Sequence, residues 1–185
     1  MREYMQHRVD VLKGAQFRRT VLGVQKLIDG RFESALIGGL AVAYYANPPV
    51  TVDADFLADV DEDVFNNFRA DMVRARWGAM PLAFTTRRAG YPQRGFAFER
   101  MLPDMAKYER ADFLFAGEDT YLQSVVRRGK LVTIQGARLR VARPEDIIVL
   151  KTLSGRDKDI EDVFALMRAV KVDQRYIDNL VERFL

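Results

Sequence analysis

Cysteine is absent from this chain, and histidine occurs once, at His7. Without thiols there is no disulfide, no thiolate nucleophile and no cysteine-ligated zinc, and one imidazole excludes a multi-histidine metal site. No apolar run approaches the ~20 residues needed to cross a bilayer. The N-terminal M-R-E-Y-M-Q-H-R has no apolar signal-peptide core. A cytoplasmic protein is the expectation. Internal repeats, low-complexity tracts and linkers are also missing. With 185 residues, 49% of them hydrophobic and 30% charged, the chain suits a single domain over 1–185, with a core of about 30–142 and C-terminal helices over about 144–185.

The net charge of +3 includes basic pairs at Arg18-Arg19, Arg87-Arg88 and Arg127-Arg128. The excess is mild and scattered, so solvated surface is the reading for most of them, with a groove for RNA as the alternative. Phe17, Val21, Val24 and Ile28 recur at helical spacing before Gly30, which predicts an amphipathic helix. His7 precedes that stripe in a polar context. Asp61-Glu62-Asp63 suits the start of a helix whose apolar stripe is Val64, Phe65, Phe68 and Met72. The segments M-P-L-A-F-T-T and G-F-A-F-E-R-M read as strands around a basic loop with Arg87, Arg88 and Arg94. Tyr121 to Val126 reads as a short helix, and K-L-V-T-I-Q-G-A-R-L-R-V-A as a hairpin turning at Gly136. Pro144-Glu145-Asp146 opens a further helix, proline in its first turn, and two more helices follow Gly155.

The stretch A-L-I-G-G-L-A-V-A-Y-Y-A-N-P-P-V-T-V-D-A-D-F-L-A-D, Ala35 to Asp59, carries the chemistry. A short apolar run, read as a buried strand, turns at Gly38-Gly39 into a small-residue helix. A Pro-Pro break then leads to a strand-like run. Strand alternation puts Thr51, Asp53 and Asp55 on one face. Two carboxylates on one face repel unless a cation sits between them, and a hard divalent ion with oxygen ligands answers that need and bridges to phosphates. The glycines let backbone approach a ligand, and the helix after them aims free N–H groups at an anion.

The order Gly-Gly, helix, Asp-x-Asp strand resembles the DNA polymerase beta-like nucleotidyltransferase superfamily, and within it the AbiEii-type and other minimal nucleotidyltransferases of toxin–antitoxin systems. Those often read G-G-x-A and then R-x-T-x-D-x-D; here Gly38-Gly39-Leu40-Ala41 precedes Pro49-Val50-Thr51-Val52-Asp53-Ala54-Asp55, with Pro49 in place of the arginine. V-A-R-P-E-D-I-I-V-L-K-T-L-S-G-R-D-K-D resembles the C-terminal AbiEii-type motif. The resemblance implies an α+β fold, a mixed central β-sheet flanked by helices with a C-terminal helical segment. It also implies Mg²⁺ in a two-metal site, with Mn²⁺ as the other possibility, held by Asp53, Asp55 and a third carboxylate on a later strand. Asp112 in Y-E-R-A-D-F-L-F best matches that third position, where it accepts or orients the attacking hydroxyl's proton; Asp104 and Asp119 are the rivals. An NTP is then bound by Gly38, Gly39, Thr51 and Lys151, with Arg156 and Lys158 contacting nucleotide or bracing the site. Lys158 and Asp162, four apart, equally suit an ordinary surface ion pair.

The activity so implied moves an NMP group from an NTP to an acceptor hydroxyl on tRNA, protein or a small molecule. The alternative is a protein of the same fold that binds a toxin or antitoxin partner without turnover, as the replacement by Pro49 suggests.

Overall fold

Phenylalanines at matching positions of neighbouring strands, together with those of one helix, build the core. The computed structural model describes residues 12, 14–46, 53–82, 89–102 and 108–185, so His7, Pro49, Thr51, Arg87, Arg88 and Asp104 lie outside the described residues. The fold is α+β. Helix α1 runs through Ala15–Phe17, a π-helical Arg18–Leu22 and Gly23–Ile28. Strand β1 (Glu33–Ile37) feeds α2 (Gly38–Tyr45), which leads to β2 (Ala54–Asp59). Then come α3 (Glu62–Arg74), β3 (Gly78–Pro81), β4 (Gly95–Met101), β5 (Tyr108–Phe115), α4 (Thr120–Arg128) and the hairpin β6 (Lys130–Ile134) and β7 (Ala137–Val141). Helices α5 (Pro144–Ser154), α6 (Asp157–Ala169) and α7 (Gln174–Phe184) close the chain.

Among the described residues the strands form one mixed sheet of seven in the order β3-β4-β5-β2-β1-β7-β6. Neighbours are antiparallel except β2 with β5 and β1 with β7. Parallel pairing is typical of strands buried on both faces, which is where β1, β2 and β5 sit. In the β2–β5 register Phe56 lies against Phe113 and Asp55 against Asp112. Successive side chains alternate between faces, so this one register sorts aromatics to one side and carboxylates to the other.

On the aromatic side the Phe56 and Phe113 rings stack at 5.2 Å, and Phe68 and Phe98 meet Phe113 edge-on at 5.0 and 5.6 Å. Helix α3 supplies Phe65, Phe68 and Met72 to this core, at helical spacing. Its first turn carries Glu62 and Asp63 and its last Arg74, each complementing the helix dipole. Helix α2 is apolar nearly all round, with Leu40, Ala41, Val42 and Ala43 buried, as expected of a helix enclosed between sheet and other helices. In the β6–β7 hairpin a two-residue turn, Gln135 and Gly136, has positive φ at both positions (50° and 84°), the geometry that matches strand twist. Asp119 caps α4, accepting from the backbone N–H groups of Tyr121 and Leu122 at 2.8 and 3.0 Å. That role removes Asp119 from the candidates for a site carboxylate. Pro144 opens α5 as the first-turn spacing requires, and Gly155 closes it in the left-handed conformation.

Phe113 is fully buried at the centre of the ring cluster. Phe113→Ala should cost ~3–5 kcal/mol in urea unfolding, the range for truncating a buried aromatic. Met101→Ala, at a position 60% exposed, should change stability by less than about 0.5 kcal/mol.

Candidate functional site

The carboxylate face of β2 meets the start of α2. Gly38, the residue after the β1 partner of Asp55, has φ +64°. A Cβ built on Gly38 would lie 1.9 Å from Asp55 Oδ2 and 2.7 Å from its Cγ. No side chain fits there: the Asp55 carboxylate occupies the space a Cβ would need, beside the first turn of α2. Gly39 follows in that turn, partly buried. Asp53 lies two residues before Asp55, just ahead of β2, and its Oδ1 is buried with no hydrogen-bond partner among the described residues. Asp112 is the register neighbour of Asp55. The fold therefore brings Gly38 and Gly39 of α2, Asp55 of β2 with Asp53 just ahead of it, and Asp112 of β5 near one another.

Burial, reinforced by the charges of Asp112 and Asp53, pushes the Asp55 carboxyl up to about 7, against the weaker pull of Lys151 and Arg156. Asp112 is also raised, by burial first, and Arg110 opposes the rise. The Arg110 guanidinium forks onto both oxygens of Asp112, Nε to Oδ1 at 2.8 Å and Nη2 to Oδ2 at 3.1 Å. Its Nη1 reaches Glu99 at 2.7 Å. Sequence reading missed Arg110, although the signal was present: Arg110 and Asp112 are two apart on a strand and so share a face.

The fit to a divalent cation divides along this line. Asp53, with its unpartnered oxygen, and Asp55, whose ionised form is held back by burial and then by its acidic neighbours, suit a cation. Asp112 has both oxygens engaged by Arg110. Among the described residues no group of three carboxylates or histidines converges as a metal cage.

The basic residues expected here take different places. Lys151 is buried on α5, its ammonium 2.8 Å from Asp159 Oδ1 and 2.6 Å from Asp162 Oδ2. Asp159 also accepts from Arg156 Nε at 2.8 Å and from the Ser154 hydroxyl. Burial raises the Asp159 carboxyl, but Arg156, Lys151 and Ser154 together hold it below the usual carboxylate range. Asp162 thus pairs with Lys151, and the spacing of Lys158 and Asp162 does not by itself decide the partner. Lys151 acts on Asp55 through its charge while paired to these acids; Arg156 is half-exposed and Lys158 lies on the surface. Tyr91, unforeseen from sequence, lies ahead of β4 and has its phenol raised by burial, with Arg156 opposing and Asp159 and Asp55 adding to the rise.

Other features singled out by sequence are spent elsewhere. Asp146 of the Pro-Glu-Asp turn is buried and accepts from Arg128 and the Tyr176 hydroxyl, both at 2.8 Å, tying α4, α5 and α7 together. Arg19 pairs with the buried Glu109 at 2.9 Å. Arg94 lines a cleft of about 1190 Å³ with Phe65, Phe115, Asp61 and Glu118, at the opposite end of β2 from Asp53 and Asp55.

Residues 112–184, less than half of the chain, match the family model described as "Nucleotidyl transferase of unknown function (DUF2204)". A nucleotidyltransferase-like antigenic protein from Paracoccidioides brasiliensis shares the architecture at TM-score 0.55 and 17% identity, over 91% of this chain and 85% of that one. The fold is that of the nucleotidyltransferases. The antibiotic-resistance factor ANT(2'')-Ia is similar at TM-score 0.55 and 12% identity, over 88% of each chain. No curated protein is significantly similar in sequence. The matched segment begins at Asp112 and contains Lys151, Arg156 and Lys158 but neither Gly38-Gly39 nor Asp53 and Asp55.

Gly38→Ala combines a positive φ with the collision against Asp55, and should lower stability by roughly 2–4 kcal/mol in chemical denaturation. Because the folded state holds the Asp55 proton up to about 7, the folded chain binds more protons than the unfolded one between the ordinary carboxylate pKa and that value, and Asp55 makes stability fall as pH rises through that window. Asp55→Asn should therefore be more stable than the wild type at pH above about 7, on the order of 2–4 kcal/mol, with the gap closing below about pH 4. Melting temperatures across that range read the difference.

Proposed function

We propose that this chain is a metal-dependent nucleotidyltransferase that moves an NMP group from an NTP to an acceptor hydroxyl, of the AbiEii-type kind associated with toxin–antitoxin systems. The observation that carries the reading is the Asp55 carboxylate seated against Gly38 at the start of α2, with Asp53 and Asp112 beside it. Asp53 and Asp55 are the residues to hold Mg²⁺, or Mn²⁺ in its place. When bound there, the ion supplies positive charge to the α-phosphate and the leaving group.

The remaining steps fall to the chain itself. The Gly38-Gly39 turn and the first N–H groups of α2 bind triphosphate oxygens, and Thr51, two residues before Asp53 in the sequence, is assigned to the same ligand. The acceptor oxygen forms a bond to the α-phosphorus as the bond to the bridging oxygen breaks, and pyrophosphate leaves. Asp112, oriented by Arg110, receives the hydroxyl proton or points it away from phosphorus. Arg156 and Lys158 stand at the surface to meet nucleotide, and Lys151, paired to Asp159 and Asp162, contributes charge at a distance. Catalysis of this kind is positioning and electrostatics more than covalent chemistry.

The second reading is a nucleotidyltransferase fold that binds a toxin or antitoxin partner without turnover. The engagement of both Asp112 oxygens by Arg110 favours it, as does Pro49 in the arginine position. RNA binding through the paired arginines loses support, since Arg19 and Arg128 are committed to Glu109 and Asp146. No described helix is long and apolar enough to cross a membrane.

Titration with the four NTPs, with and without Mg²⁺, separates the first two readings. Under the enzyme reading the wild type binds an NTP only with Mg²⁺, and Asp53→Asn/Asp55→Asn weakens that binding by about a hundredfold or more while keeping a cooperative melt. A folded wild type that binds no NTP sinks it in favour of the partner reading.

A further inference from the structure

Helix α6 has two working faces. One lies against α5, where Asp159 and Leu166 are buried and Asp159 and Asp162 hold Lys151. On the other, Ile160, Phe164 and Met167 are 56%, 54% and 43% exposed. Their spacings of four and then three put them in one stripe, the pattern with which a helix packs on another helix. An isolated exposed apolar residue needs no explanation, but three in register on one rigid helix form a patch.

The charges beside the stripe specify what fits it. Glu161 and Arg168 are both exposed and seven residues apart, which places them on the same flank, nearly two turns from each other. When two copies of such a helix pack antiparallel about a two-fold axis, like flanks face each other and heights are reversed. With the axis beside Phe164, Glu161 of each copy lies opposite Arg168 of the other, Ile160 opposite Met167, and Phe164 against its own equivalent. A parallel pairing puts identical residues at equal heights and brings no opposite charges together. The surface is self-complementary, as an isologous contact requires.

We infer that the exposed face of α6 is a homodimer interface in which two copies pack antiparallel about Phe164, with Glu161 and Arg168 paired across the axis. One helix pair is smaller than a standard interface, so the dimer is weak and its population depends on concentration. The inference stands on surface geometry alone and is independent of the proposed nucleotidyl transfer.

Sedimentation equilibrium of the full chain, from low to high micromolar concentration, tests it. The mass should rise from 21.2 kDa toward twice that value. Phe164→Glu should abolish the rise. Glu161→Arg and Arg168→Glu should each weaken association by about tenfold, since each creates two like-charge contacts, and the double exchange Glu161→Arg/Arg168→Glu should restore it. Thermal melts of every variant matching the wild type exclude unfolding as the cause. A wild type of 21.2 kDa at all concentrations overturns the inference, whether the face is then bare or taken by a different protein. A dimer that survives Phe164→Glu, or single charge variants that the double exchange does not rescue, overturns it as well.

Discussion

The contact between Asp55 and Gly38 is the constraint on which the site depends. A carboxylate can be buried at the end of β1 only where the chain leaves the strand without a side chain, and Gly38 provides that at a positive φ. The same turn starts α2, whose first N–H groups then lie beside an acid. Two more acids stand near it: Asp112 arrives through the β2–β5 register, and Asp53 lies two residues before Asp55, just ahead of β2.

Charge in this molecule is arranged in layers. The carboxylates Asp53, Asp55 and Asp112 sit innermost, raised or left unpartnered by burial and by one another. Of the nearby cations, Arg110 is bound to Asp112 itself and to Glu99, while Lys151 is bound to Asp159 and Asp162 and Arg156 to Asp159. Of these pairs Lys151–Asp159 is buried on both sides, so removing either member would leave the other uncompensated. Lys151 and Arg156 are thus held by Asp159 rather than by Asp53 or Asp55.

Much of the architecture was legible because local rules agreed with the tertiary outcome. The stripe Phe17, Val21, Val24, Ile28, the acid-led helix with Phe65, Phe68 and Met72, the hairpin at Gly136 and the proline-started helix at Pro144 all appear where periodicity and capping put them. Where sequence reading went astray, the cause was competition between partners. Lys158 and Asp162 have ion-pair spacing, yet Asp162 bonds Lys151 of another helix, because a buried ammonium gains more from that carboxylate than a solvated one does. Lys151 itself looked like a ligand-facing cation, and only the packing of α5 against α6 shows the acids that take it.

Sequence alone determined the Gly-Gly turn and the two-residue spacing of Asp53 and Asp55, because both are local features of a few residues. Which third carboxylate joins them, and that Arg110 accompanies it, was decided by the pairing of β2 with β5, strands separated by two others along the chain. Pairing between distant strands is a property of the whole sheet, and no local pattern in β2 or β5 contains it.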